Sequence, residues 1–301
     1  MIFRIRPGHP DALPQLVLIL SSIGWGLTWI PLRYLQTQGM QGPPLLLLAF
    51  GAGTLLLLPT FMKQQHLWQG RWHLLLLIAL CGGFANLAFQ IALFEGEIIR
   101  VMILFYLLPI WSLLGGWLLL GEDIDTARIL TVVCALLGAF LVLGGFTLFE
   151  TRPSWLDLLA IAAGMAFAIN NLLFRASQSL PLSGKMTAMF AGCALLAGLY
   201  LLLKGDQITE PTLTGLLLTL AYGMAWLTLI SYGTQWGVTR LEAGRASIII
   251  TLELVAALVS ASLLLDERMT PWELGGALLV TGAGLFETGR KKQRHRDALS
   301  Q

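Results

Sequence analysis

A single carboxylate, Glu253, interrupts the apolar stretch that runs from Ile248 through Thr251 and Leu252 to Leu258. An ionised acid inside such a stretch costs roughly several kcal/mol unless it is paired, hydrated or protonated. Glu253 therefore suits three roles: a proton-coupling group, a binding group for a substrate amine, or a buried acid hydrogen-bonded between helices. Neutral polar residues recur at helical spacing elsewhere. Asn86 and Gln90 are four residues apart, as are Ser231 and Gln235, which puts each pair on one helix face. Such faces either line a cavity for a zwitterionic solute or join helices through hydrogen bonds. Trp25 and Trp29 repeat the spacing, with Ser22 and Arg33 continuing the stripe, and so do Tyr222 and Trp226. Their rings suit stacking on a solute, helix packing or an interfacial belt. With Thr28, Tyr106 and Asn170 added, these residues make up the candidate substrate cavity: Trp25, Thr28, Trp29, Asn86, Gln90, Tyr106, Asn170, Tyr222, Trp226, Ser231, Gln235 and Glu253.

Motifs for enzymatic chemistry are missing. His9, His66, His73 and His295 fall in termini or loops, and the chain has no HExxH, no GxxxxGK[ST] and no GxSxG. An enzyme is not expected, nor a cofactor or metal. Cys81, Cys134 and Cys193 lie in apolar runs, are odd in number and lack CxxC spacing. They are expected to pack in the interior rather than form disulfides or bind zinc.

The candidate residues need membrane-spanning helices to position them. Of 301 residues, 56% are hydrophobic and 12% charged, with a mean hydropathy of +0.75, far more apolar than one soluble core requires. Apolar runs place spans at 14–36, 44–62, 73–95, 98–120, 127–148, 155–177, 185–203, 213–236, 245–265 and 271–289. Each is long enough, at ~1.5 Å rise per residue, to cross ~30 Å of hydrocarbon. Ser154 with Asp157, and Thr270 with Glu273, read as capping boxes, the second with Pro271 at the first helical position. Arg4 and Arg6 resemble the charged part of a signal peptide, yet the run that follows is long and carries Trp25 and Trp29, so it reads as the first span. The expected fold is an all-α membrane protein of ten transmembrane helices. Ten spans put both termini on one side. Of 19 Lys and Arg, only Arg33, Arg100, Arg152, Lys204 and Arg268 fall on the other side, so both termini are expected in the cytoplasm. The basic tail from Arg290 to Arg296 reads as a topology anchor, with membrane lipid rather than nucleic acid beside it.

Setting residue i against i+145 aligns Gln90 with Gln235, Glu97 with Glu242, Arg100 with Arg245 and Glu122 with Glu267. An offset of 142 aligns Trp25 with Phe167, Thr28 with Asn170 and Arg33 with Arg175. The chain therefore divides into two five-helix repeats, 1–149 and 150–290, followed by the basic tail 291–301. Because five is odd, the second copy enters the membrane from the opposite face, which gives an inverted-topology repeat. Glu97 with Arg100, and Glu242 with Arg245, read as caps that orient helices four and nine, or as gating groups. Arg33 snorkels to the interface or recognises a substrate carboxylate. Gly115-Gly116 and Gly275-Gly276 are expected to permit close helix packing.

On these residues the chain resembles the EamA-type branch of the drug/metabolite transporter superfamily over nearly its whole length. Trp25-Gly26-Leu27-Thr28 resembles the family's first-helix signature, and Leu108-Pro109 through Gly121-Glu122 its proline-to-Gly-Glu helix. Leu252-Glu253-Leu254 through Asp266-Glu267-Arg268, followed by Glu273 to Leu278, resembles the second copy. Leu254 stands where the family has proline, which leaves no proline to break helix nine. The resemblance implies a secondary transporter of the bacterial-type inner membrane, with a central cavity lined by both halves. It also implies export or exchange of small organic metabolites such as amino acids. A drug carrier and a non-transporting receptor or scaffold are the alternatives. With no ATP-binding motif, the drive is the solute's own gradient or a proton, and the coupling role then falls to Glu253.

Overall fold

The computed structural model describes residues 12–146, 152–204, 211–265 and 268–299, and all regular structure among them is helical. The first half comprises α1 (Ala12–Gly26), α2 (Trp29–Thr37), α3 (Gly42–Lys63), α4 (Gln65–Trp68), α5 (Trp72–Glu95), α6 (Ile98–Phe105), α7 (Leu108–Leu120) and α8 (Thr126–Val142). The second comprises α9 (Trp155–Ala176), α10 (Leu182–Lys204), α11 (Leu213–Ala221), a π-helical turn (Tyr222–Leu227), α12 (Thr228–Arg240), α13 (Ala243–Ile250), α14 (Leu252–Leu265) and α15 (Pro271–Leu299). Arg4, Arg6, His9, Asp266 and Glu267 lie outside the described residues, as do the side chains beyond Arg290.

Among the described residues, eight helical runs are long and apolar enough to cross a membrane: Ala12–Thr37, Gly42–Lys63, Trp72–Glu95, Ile98–Leu120, Trp155–Ala176, Leu182–Lys204, Leu213–Arg240 and Ala243–Leu265. The span expected at 127–148 is a shorter apolar helix, α8, which ends at Val142. Gly144 just beyond it has a φ of 67°, the left-handed conformation that ends helices. The last expected span falls within α15. Exposed leucines such as Leu158, Leu202, Leu229 and Leu263 give the bundle an apolar outer surface, as lipid contact requires.

Three long helices are interrupted near their middles. Pro31 and Pro109 each clash with the carbonyl four residues back, and α1 and α6 stop at that point, one residue before Leu27 and at Phe105. The third interruption, between α13 and α14 at Thr251, occurs where the ninth helix has no proline to break it. Without a proline, the Thr251 hydroxyl donates to Ile248 O at 2.6 Å and Leu254 N donates to Thr251 O at 3.1 Å, which diverts the local ladder.

Both predicted capping boxes form. Ser154 and Asp157 bond reciprocally, and Thr270 N donates to Glu273 Oε2 at 2.6 Å while Glu273 N donates to Thr270 Oγ1 at 3.2 Å. In the bundle, α1 packs on α12 and α14 much as α9 packs on α5 and α7, while α3 meets α10 and α8 meets α15. Small residues set the tightest approaches. A Cβ on Gly83 would lie 2.6 Å from the Gly192 carbonyl carbon, and one on Gly276 would lie 2.6 Å from Gly138 O. Gly115 meets Leu172, whereas Gly275 faces open space and has no packing role.

Candidate functional site

Thr28, Tyr106 and Glu253 sit at or just beyond the three helix interruptions, and all line one cavity of about 610 Å³. The Tyr106 hydroxyl donates to Glu253 Oε1, so the acid isolated in sequence has a partner from the other half of the chain. Trp25, Trp29, Phe50, Phe89 and Tyr222 supply aromatic walls, and Asn86 and Gln90 add neutral polar groups. The indole N–H groups are tied into the bundle: Trp25 Nε1 donates to Thr234 Oγ1 at 3.1 Å and Trp29 Nε1 to Ser260 Oγ at 3.0 Å. Two ring positions are thereby fixed across the repeat boundary. Tyr222 opens the π-helical turn, where Thr228 Oγ1 donates to Gly223 O at 2.7 Å; such turns widen a helix locally and occur often at functional sites. Arg33 and Gln36 on α2, with Gln41, Phe94 and Ile98 at the ends of α3, α5 and α6, form the exposed mouth of the cavity.

Four of the candidate lining residues lie elsewhere. Trp226 stands behind Thr28 and donates Nε1 to its Oγ1 at 3.1 Å. Asn170, Ser231 and Gln235 are buried: Asn170 lies against Gly82 and donates Nδ2 to Met189 Sδ at 3.5 Å, and Gln235 donates Nε2 to Asn171 Oδ1 at 3.0 Å. The matched faces of helices three and eight thus have different surroundings: one borders the cavity, the other packed side chains.

The end of the bundle opposite the mouth is shut by ion pairs. Arg175 Nε donates to Glu122 Oε1 at 2.5 Å, and the other oxygen of that carboxylate accepts from Ala243 N at 2.8 Å, which caps α13. Sequence reasoning assigned that cap to Glu242. Glu242 instead turns to Arg128, with Nη2–Oε2 at 2.5 Å. Glu287 is fully buried, paired with Arg128 at 3.1 Å and Arg290 at 3.0 Å, with Arg245 at 3.8 Å. Near the mouth end, Arg100 pairs with the capping-box acid Asp157 at 3.2 Å. Glu287 and Arg128 were not singled out from sequence, although an acid within the expected tenth span was a signal of the same kind as Glu253. Among the described residues, no group of His, Cys, Asp and Glu is placed to hold a metal ion.

A cavity at mid-bundle, helices broken around it and a lipid-facing exterior define a multi-pass helical membrane protein. The model of the EamA-like transporter family matches residues 13–144 and again 154–286, and the chain belongs to that family, whose members are transporters of small molecules. No curated protein matches the sequence. Several solved structures are similar; one of them, a crystal structure, has a TM-score of 0.76 at 17% identity, over 91% of this chain and 97% of the other, a likeness that concerns the fold.

Proposed function

We propose that this protein is a secondary transporter that exports or exchanges small organic amines, amino acids among them. In this reading it works by alternating access, through ten spans built as two inverted five-helix repeats. The observation that carries the reading is the mid-bundle cavity, lined from both halves and holding the Tyr106–Glu253 pair at its inner end. A carboxylate there complements an ammonium group, the tryptophan and phenylalanine rings complement an apolar side chain, and Arg33 at the mouth is a cation for a carboxylate on the way in or out. The two matches to the family model and the mirrored packing of α1 and α9 support the repeat. Lys and Arg bias assigns the shut end to the cytoplasm of a bacterial-type inner membrane. The cavity then opens outward.

Uptake and efflux of a panel of radiolabelled amino acids and amines in proteoliposomes, with and without an imposed pH gradient, test the proposal. Saturable flux of one class is expected, and Glu253→Gln is expected to remove the part driven by the pH gradient. Unchanged driven flux in that variant removes Glu253 from coupling; absence of flux for every member in folded protein overturns the amine reading.

A further inference from the structure

The charges at the shut end of the bundle fall into two sectors. In one, Glu122, Asp125, Glu242 and Glu287 pair with Arg175, Arg290 and Arg128. The other is built from the end of α3, the start of α5, the end of α9, the start of α10 and the end of α12. Side chains tie these ends together: Ser183 Oγ donates to Gln64 Oε1 at 2.7 Å, Gln178 Nε2 to Thr239 O at 3.0 Å, and Arg71 to the Ser179 hydroxyl. Residues 60–74, 176–186 and 235–241, which make up this sector, contain no Asp or Glu. Among the described residues, none of Lys63, Arg71, Lys185 and Arg240 is ion-paired. Lys185 is 1% exposed, and its Nζ donates to Phe174 O at 2.7 Å and Ser177 O at 3.2 Å, at the end of α9. Those carbonyls satisfy its donors but leave its net charge, which repels the nearby Arg240. The Arg240 guanidinium in turn lies 4.1 Å from the centre of the Trp236 ring. Apolar side chains alternate with the cations at the edge of the sector. Met62, Leu67 and Trp72 are 53%, 48% and 63% exposed beside exposed Lys63, His66 and Arg71. Trp68 stacks on Phe61 with ring centres 4.6 Å apart and donates Nε1 to Phe61 O at 3.2 Å. This segment joins the spanning runs Gly42–Lys63 and Trp72–Glu95. It therefore lies where hydrocarbon gives way to headgroups, the level at which tryptophan settles and cations reach phosphate.

We propose that this sector binds the phosphate of an anionic phospholipid headgroup, with Lys63, Arg71 and Arg240 as the contacting cations and Lys185 adding positive potential behind them. Leu67 and Trp72 pack against the acyl chains. A bound phosphate offsets the repulsion among the like charges, and the exposed apolar residues favour a lipid over a free anion. The site lies outside the cavity. It depends on the membrane class of the protein and not on the transport reading.

Native mass spectrometry of the full chain, purified in a neutral detergent and mixed with equal amounts of phosphatidylglycerol and phosphatidylcholine, tests the proposal. The parent is expected to retain phosphatidylglycerol in preference to phosphatidylcholine. Arg71→Gln and Arg240→Gln, both at exposed positions, are each expected to weaken retention of phosphatidylglycerol about fivefold and to leave phosphatidylcholine unmoved. Melting temperatures matching the parent's report that the variants fold, and Lys63→Gln replaces one that does not. Lys204→Gln, at the opposite end of the bundle, and Lys291→Gln with Lys292→Gln, in the basic tail, are expected to keep the preference. Equal retention of the two lipids by the parent overturns the proposal. So does a loss in Lys204→Gln or in the tail variant as large as in the sector variants. Inorganic phosphate alone, added without lipid, is expected to leave the melting temperature unchanged; a rise that Arg71→Gln abolishes would assign the sector to a soluble phosphate and overturn the lipid.

Discussion

Asp125 accepts from the Arg128 backbone N–H at 2.8 Å and pairs with Arg290. Burial pushes its carboxyl up, but that N–H and the Arg290 and Arg128 guanidinium groups outweigh it and hold the carboxyl below its ordinary value. A lowered folded value means that the folded state favours the charged form. The stabilisation is present above the ordinary carboxylate range and is lost as pH falls through the lowered value. Asp125→Asn is therefore expected to flatten the acid side of a melting-temperature profile in detergent, by under about 1 kcal/mol because solvent screens the site; an unchanged acid limb would show that Asp125 carries none of it. At this scale the sequence was only half legible. Glu253 was conspicuous because a charge in an apolar run breaks composition, and Tyr106 was a candidate cavity residue, but nothing in their separate segments, 147 residues apart, pointed to the bond between them. Asn170, Ser231 and Gln235 matched the cavity wall in type and spacing but not in exposure, because repeat symmetry in sequence does not say which copy is open.

Between elements, backbone contact rather than side-chain chemistry sets the tightest joints. Gly83 of α5 rests against Gly192 of α10, where a methyl group would overlap the facing backbone. Gly83→Ala is expected to cost roughly 1–3 kcal/mol by overpacking, read as a lower melting temperature, while Gly275→Ala, which meets open space, is expected to leave it unchanged. Equal melting temperatures for the two variants would place the strain elsewhere. Helix positions were legible because apolar runs and caps mark them, and the interruptions around Thr28 and Tyr106 follow from Pro31 and Pro109. The interruption at Thr251 was not legible, since threonine within a helix is common and only its hydroxyl's bond to Ile248 O distinguishes it.

At the level of the molecule, the offset of 145 residues revealed duplication, and composition revealed the membrane class. The conformation was not legible, because it depends on which ion pairs are closed at a given moment. One of those clusters bears on assembly as well. Arg128 on α8 and Glu287 on α15 join the last helices of the two halves. Divided between Phe146 and Arg152, the chain becomes two polypeptides whose mutual recognition includes that pair. Co-expressed, the fragments are expected to purify together, and Glu287→Gln is expected to reduce recovery of the complex, since breaking a buried pair costs about 3–5 kcal/mol. Undiminished recovery would assign recognition to apolar packing alone. A buried ion pair here acts as a matching code between half-proteins, and a gene encoding the halves separately would need to preserve it on both sides.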